Sequence, residues 1–159
     1  MHTILRKLNM NTLEAIFGKA KQLAIEKNLP YTGELMPVEA YQAIEQSDAS
    51  VEIIDVRSTA ELDLVGRVPN ALHIQWAFYP GMVPNVEFAD ELQEAVKTDK
   101  TLIFMCRTGG RSHDAAVLAQ QLGYSNVYNM AQGFEGEANA NKQRTLINGW
   151  KHAGLPWTN

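Results

Sequence analysis

Cysteine is scarce in this chain of 159 residues: Cys106 is the only one, so no internal disulfide can form. A single cysteine also excludes a cysteine-rich zinc site and leaves no resolving thiol within the chain. The four histidines, at positions 2, 73, 113 and 152, lack paired metal-binding spacing. We therefore expect no structural metal, no bound cofactor and no dependence of folding on an oxidising compartment.

Long apolar runs and an excess of positive charge are missing too. No stretch approaches the roughly 20 apolar residues of a membrane-spanning helix, and residues 1–10 do not resemble a signal peptide. The formal net charge of −4 argues against nucleic acid or an anionic membrane surface as the main partner. With 45% hydrophobic and 20% charged residues, the composition predicts a globular, cytoplasmic protein with one core.

Helix-like and strand-like segments alternate along the chain, which predicts an α/β fold. Five segments have helix-like sequences: residues 12–27, 37–44, 59–64, 86–97 and 112–122. Short apolar runs indicate strands at residues 51–56, 71–74, 101–105 and 126–129. We therefore expect a mostly parallel sheet of four or five strands.

Cys106 directly follows the most clearly predicted strand and opens the run Cys-Arg-Thr-Gly-Gly-Arg-Ser at residues 106–112. The strand would fix the sulfur, and the two glycines allow the backbone to curl so that several N–H groups point inward. The N-terminus of the next helix and the guanidinium groups of Arg107 and Arg111 add positive charge. Because each feature favours a thiolate, we expect a nucleophile in an anion-binding loop at the carboxyl end of the sheet.

This pattern resembles the rhodanese-like (thiosulfate sulfurtransferase) family, as a single-domain member. Four motifs carry the resemblance: the active loop at residues 106–111, the Asp-Val-Arg box at residues 55–57, a Gly-His-Ile-Pro-Gly-Ala-like signature at residues 66–74, and a C-terminal element with Gly133, Trp150 and residues 154–156. The resemblance covers about residues 34–157. It predicts a rhodanese-like domain at residues 34–159, with helices on both faces of the sheet, after an N-terminal helical extension at residues 1–33.

The resemblance implies that the chain transfers sulfane sulfur. The Cys106 thiolate would attack the outer sulfur of a small anionic donor such as thiosulfate, and the persulfide would pass its sulfur to a thiol, cyanide or protein-thiol acceptor. The rest of the loop would bind the substrate: Arg107, Thr108, Gly109, Gly110, Arg111 and Ser112.

Two other functions are compatible with an activated thiolate. Cysteine phosphatases and arsenate reductases use a loop of the pattern Cys-x5-Arg, but here arginine falls one position early, at Arg111, and position 112 is serine. The shorter loop favours sulfur over a tetrahedral phosphate. A non-catalytic sulfur carrier or redox-sensing thiol module would use the same reactive cysteine.

The sequence departs from the family pattern in three places. Arg67 and Asn70 replace two residues of the central signature, and Phe134 stands where a second glycine is common. The polar segment 136–148 pushes Trp150 downstream, and either a lid or partner-docking loop beside the active loop or a solvated insertion would explain it.

Several residues near the motifs have structural explanations. Asp55 and Arg57 are expected to form an internal ion pair, with Glu61 as a further partner for Arg57. Ser112 is expected to be a helix N-cap and His113 to face solvent. Trp150 and Trp157 are expected to anchor the C-terminal tail, and His73 to be a satisfied core or edge residue.

Overall fold

The computed structural model describes residues 12–159; the first eleven residues of the predicted N-terminal extension lie outside this part. The described helices are α1 (Leu13–Glu26), α2 (Pro37–Gln46), α3 (Thr59–Val65), α4 (Phe88–Ala95) and α5 (Gly110–Gln121). The described strands are β1 (Gly33–Leu35), β2 (Val51–Asp55), β3 (Leu72–His73), β4 (Ala77–Phe78), β5 (Val83–Pro84), β6 (Thr101–Met105) and β7 (Asn126–Met130).

Five of these strands form one parallel sheet in the order β1-β7-β6-β2-β3, which confirms the predicted α/β fold. Strand β6 lies in the middle and pairs with β2 along its whole length and with β7 over four residues. Its sequence, Thr-Leu-Ile-Phe-Met, is apolar on both faces because both faces are covered. The strand that leads to the only cysteine is therefore the central strand of the sheet, and it is covered on both faces.

Helices cover both faces of the sheet, as predicted. Leu102 and Phe104 of β6 belong to one apolar cluster with α4 and α5, and the alternate residues Ile103 and Met105 belong to a second cluster with α1 and α2. All four side chains are fully buried. Burial of each such side chain contributes roughly 1.5–3 kcal/mol, so the core holds β6 rigidly.

Helix α1 packs against the sheet. It begins after the N-cap Thr12, whose Oγ1 accepts the N–H of Ala15 at 3.2 Å, and it buries Ile16 and Ala20 in the second cluster. At Gly33 a Cβ would lie 2.7 Å from the Tyr128 ring, so only glycine lets β1 approach this closely. The predicted division between residues 33 and 34 falls inside β1 and stays a prediction about domain organisation.

The structure adds elements that the sequence did not predict and shortens one that it did. Strand β1 and the antiparallel hairpin of β4 and β5 were missed because they contain only two or three residues each. The helix predicted at residues 86–97 is confined to Phe88–Ala95. Val86 is almost fully exposed and precedes the helix, and Val96 already has extended backbone angles.

The tail is anchored by its tryptophans, as predicted. Trp150 is fully buried and its Nε1 donates a hydrogen bond to the carbonyl oxygen of Pro156 at 2.8 Å. Trp157 packs edge-on against Phe134, and its ring occupies the space where a side chain at Gly66 would lie. The last residues are tied back to the domain by paired backbone hydrogen bonds between Thr158 and Arg67.

Candidate active site

Cys106 lies immediately beyond β6, at the carboxyl end of the sheet, and its side chain is only 1% exposed. The N–H of Gly109 donates a hydrogen bond to its Sγ at 3.1 Å, and the Oγ of Ser112 lies 3.3 Å from the same sulfur. The Gly109 N–H, together with the Ser112 hydroxyl when it donates, would stabilise negative charge on sulfur. The predicted nucleophile is thus held by the residues that the sequence placed around it.

Gly109 gives the loop its shape. Its φ of +107° is favourable for glycine alone, and it serves as the N-cap of α5. Its carbonyl oxygen accepts hydrogen bonds from Asn129 Nδ2 at 3.2 Å and from the N–H of His113 at 3.1 Å. Asn129, on the neighbouring strand β7, was not identified from the sequence, and it fixes the residue whose N–H contacts the thiol.

Two expectations for the start of α5 are wrong. The helix begins at Gly110 rather than at Ser112, because Gly109 already ends the loop, so Ser112 is not the N-cap. Ser112 is instead fully buried in the first turn with its hydroxyl next to Cys106. His113 is only partly exposed, because its ring turns toward the core and its Nδ1 lies 2.7 Å from the hydroxyl oxygen of Tyr31.

Arg111 forms a bidentate ion pair with Glu61 of α3, with N–O distances of 2.7 and 2.8 Å. Glu61 therefore pairs with Arg111 and not with Arg57, contrary to expectation. Glu61 also accepts the N–H of Ser58 in the capping box of α3. Burial alone would raise the pKa of Glu61, but hydrogen bonds and charge from Arg111, together with Ser58, lower it from 4.5 to about 2.

We expect Glu61→Gln to lower the free energy of unfolding by about 1 kcal/mol near neutral pH, because Arg111 loses its charged, partly buried partner. The pKa of this carboxyl is lower in the folded protein than in the unfolded chain, so its contribution is complete above pH 4.5 and is lost as pH falls toward about 2. Urea denaturation across this range should show the two proteins converging. Asp63→Asn, which breaks only the exposed pair with Arg67, is the control with little expected effect. A difference that is independent of pH would contradict this account.

A buried ion pair supports the end of β2, as predicted. Arg57, which is fully buried, donates to the carboxylate of Asp55 from Nε and Nη2 at 2.7–3.2 Å and to the carbonyl oxygen of Gly66 at 2.9 Å. Its guanidinium lies 4.2 Å from the centroid of the Phe134 ring. His73, on the edge strand β3, is 2.6 Å from the carbonyl oxygen of Arg57 through Nε2. The Asp55–Arg57 ion pair stabilises the segment after β2 and does not contact the Cys106 sulfur.

Residues 133–135 hold the loop from the other side. The N–H groups of Phe134 and Glu135 donate to the carbonyl oxygens of Cys106 and Arg107 at 2.9 and 3.0 Å. A Cβ at Gly133 would lie 2.4 Å from the Arg107 carbonyl oxygen, which explains why glycine occupies this position. Phe134, which replaces the second glycine of the family pattern, instead carries the ring beneath Arg57.

An open cleft of about 590 Å³ leads to the thiol. Its walls combine the active loop with side chains from α3, from the β4–β5 hairpin and from the residue after Phe134. The lining residues are Glu61, Val65, Tyr79, Met82, Cys106, Arg107, Thr108, Gly110, Arg111 and Glu135. The sequence predicted the loop residues, but Tyr79, Met82 and Glu135 had no recognisable motif.

The polar segment 136–148 lies beside the cleft but outside its lining residues. It folds largely on itself: the N–H groups of Asn141 and Gln143 donate to Asn139 Oδ1, and Arg144 Nη1 donates to the carbonyl oxygen of Gly136. Its role as a lid or docking loop stays a prediction.

Within residues 12–159, no cluster of three His, Cys, Asp or Glu side chains is arranged to hold a metal ion. None of the helices in the same part of the chain has the length and apolar character required to cross a bilayer.

A family model described as Rhodanese-like domain matches residues 36–140. The chain belongs to the rhodanese-like family. The matched region begins at the N-cap of α2 and includes the Asp55–Arg57 pair, the active loop and the residues that hold it. The family resemblance expected from the sequence is therefore confirmed.

Similarity to individual proteins agrees with this family. The uncharacterized protein RP600 of Rickettsia prowazekii is 35% identical over 107 residues, 66% of this chain and 80% of that protein. The thiosulfate sulfurtransferase GlpE of Actinobacillus succinogenes is 29% identical over 123 residues, 77% of this chain and 87% of GlpE. The crystal structure of Rv0390 from M. tuberculosis has a TM-score of 0.72 and 32% identity, and covers 80% of this chain and 98% of that one. Together they support a rhodanese-like protein of the sulfurtransferase type.

Proposed function

We propose that this rhodanese-like protein transfers sulfane sulfur from a small anionic donor such as thiosulfate to a thiol or cyanide acceptor, through a persulfide on Cys106. The observation that carries the proposal is the environment of the sulfur: Gly109 N–H and Ser112 Oγ both contact Sγ at the base of an open cleft. An unpaired thiol of this kind needs reducing surroundings, which favours a cytoplasmic site of action.

The reaction proceeds by two displacements at sulfur. The Cys106 thiolate attacks the outer sulfur of thiosulfate; a new S–S bond forms, the S–S bond of thiosulfate breaks, and sulfite leaves with the electron pair. An acceptor thiolate then attacks the outer sulfur of the persulfide, and Cys106 leaves as a thiolate. The two half-reactions predict ping-pong kinetics.

The two arginines of the loop have different roles in this proposal. Arg107 is exposed on the cleft wall and provides positive charge for an anionic donor. Arg111 is already bound through two nitrogens to Glu61, so it fixes the loop against α3. This pairing disfavours a phosphatase, whose arginine must bind two phosphate oxygens with the same nitrogens.

The proposal is tested by incubating the purified protein with thiosulfate. We expect stoichiometric release of sulfite and an intact-mass gain of one sulfur atom, which maps to Cys106 and is removed by cyanide as thiocyanate. Continuous turnover with cyanide supports an enzyme, whereas one loading event without turnover supports a sulfur carrier instead. Absence of the mass gain would refute the Cys106 persulfide.

A further inference from the structure

The β4–β5 hairpin and the residues just after it carry five exposed apolar side chains, two of which line the cleft. Tyr79 and Met82 line the cleft, and Phe78 and Val83 are paired across the hairpin. These four side chains are 40–65% exposed, and Val86, just beyond them, is 92% exposed. We call the five residues the hairpin patch. Contiguous apolar surface of this kind next to a reactive group is typical of a contact site for another protein.

Acidic residues lie directly beside the hairpin patch. Four acidic residues recur at spacings of three and four positions, so they lie on one face of α4, the first of them at its N-cap. We call them the acidic stripe, and all four are exposed: Glu87, Asp90, Glu91 and Glu94. Asn85 connects stripe and hairpin, because its N–H donates to the Trp76 carbonyl oxygen and its Nδ2 to the Glu91 carboxylate. No lysine, arginine or histidine occurs between positions 73 and 97, so every charged side chain of this segment is acidic.

The thiol is deep relative to this surface. Cys106 is 1% exposed at the base of a cleft far larger than a thiosulfate ion, and Glu135 adds a further carboxylate to the cleft wall. A reacting sulfur must therefore be carried on a narrow, protruding group. A flat protein surface could not bring its sulfur to Cys106.

We infer that the sulfur acceptor is a cysteine on a protruding basic segment of another protein, which contacts the hairpin patch through apolar side chains and the acidic stripe through lysine or arginine. The inference rests on the proposed function. In the transfer step the partner's thiolate, after releasing its proton to solvent, attacks the outer sulfur of the Cys106 persulfide. The persulfide S–S bond breaks, the partner leaves as a persulfide, and Cys106 is returned as a thiolate.

The test begins with the full chain loaded by thiosulfate and checked by intact mass. Its discharge is then followed with three acceptors: uncharged N-acetylcysteine amide, a peptide whose central cysteine is flanked by leucines and lysines, and the same peptide with glutamates in place of lysines. We expect the basic peptide to react about tenfold faster than the acidic one at low ionic strength, because opposite charge accelerates encounter. The difference should shrink in high salt.

Two pairs of substitutions locate the effect. The double variant Asp90→Lys with Glu94→Lys should remove the preference for the basic peptide and leave the rate with N-acetylcysteine amide unchanged. The control, Glu14→Lys with Glu26→Lys on α1, makes the same change in net charge on exposed residues that do not line the cleft and should keep the preference. Val83→Thr with Val86→Thr should raise KM for the basic peptide several-fold without changing the rate with N-acetylcysteine amide.

The outcomes separate this inference from the function on which it rests. Failure to load sulfur refutes the proposed function. Normal loading with equal discharge to both peptides, or a preference that the control removes equally, overturns the basic protein acceptor. If Val83→Thr with Val86→Thr converts a dimer into a monomer in sedimentation and leaves discharge to the peptide unchanged, the hairpin patch joins two copies of this chain and the inference is wrong.

Discussion

Replacement of Cys106 by serine is expected to reduce thiosulfate:cyanide sulfur transfer by at least about a thousandfold, because the nucleophile that carries the sulfur is lost. Serine has nearly the same size and its oxygen can accept the N–H of Gly109, which now donates to Sγ. The variant should therefore fold normally. Sulfite release, thiocyanate formation and intact mass after thiosulfate treatment measure the effect, with circular dichroism as the check on folding.

Ser112→Ala is the matched control for this variant, because it keeps the thiol and removes the hydroxyl 3.3 Å from it. One hydrogen bond to a charged sulfur is worth about 1–3 kcal/mol, so we expect a loss of about tenfold to a hundredfold. Persulfide should still form on Cys106 in this variant. Sulfur transfer by Cys106→Ser at the wild-type rate would show that the chemistry occurs elsewhere.

Asp55→Ala is expected to produce the largest loss of stability, about 3–5 kcal/mol, because it leaves the Arg57 guanidinium buried without an anion. Arg57 has no solvent exposure, and its hydrogen bonds to the carboxylate come from the side chain and from its own N–H. Equilibrium urea denaturation, with the slope checked for a two-state transition, gives the change in free energy of unfolding.

The double variant Asp55→Ala with Arg57→Met removes both charges of the ion pair. It therefore separates the cost of losing the ion pair from the cost of leaving the Arg57 charge buried without a partner. Removing both charges should recover part of the stability, because a buried apolar side chain incurs no desolvation cost for charge. A single Asp55→Ala variant within about 1 kcal/mol of the wild type, or a double variant less stable than the single one, would contradict a buried charge pair.

Local sequence was sufficient for much of the fold. Strand β6 and the start of the active loop follow from a short apolar run that ends at Cys106, and α1 follows from its apolar spacing. Strand β1 could not be predicted, because its three residues are extended only through pairing with β7. The β4–β5 hairpin likewise lacks the alternating pattern of a longer strand.

The site was predictable where the residues are adjacent and unpredictable where distant segments meet. The contacts of Cys106 with Gly109 and Ser112 fall within one loop. The pair of Glu61 with Arg111 spans fifty positions, and only the packing of α3 on the loop reveals that Glu61 turns away from Arg57. His113 shows the same effect, since the hydroxyl of Tyr31 was the partner that its local sequence could not indicate.

Cys106 belongs to the core cluster that also contains Phe104 and Ile54, so the reacting sulfur and the folding of the domain are thermodynamically linked. Under the proposed chemistry, any stabilisation that the folded loop gives to the outer sulfur must appear as an increase in the free energy of unfolding of the loaded protein. The free energy of sulfur transfer from the folded persulfide to an acceptor becomes less favourable by that same amount, relative to transfer from the unfolded chain. A pair of denaturation curves, for free and sulfur-loaded protein, therefore measures how readily this protein gives up its sulfur relative to the unfolded chain.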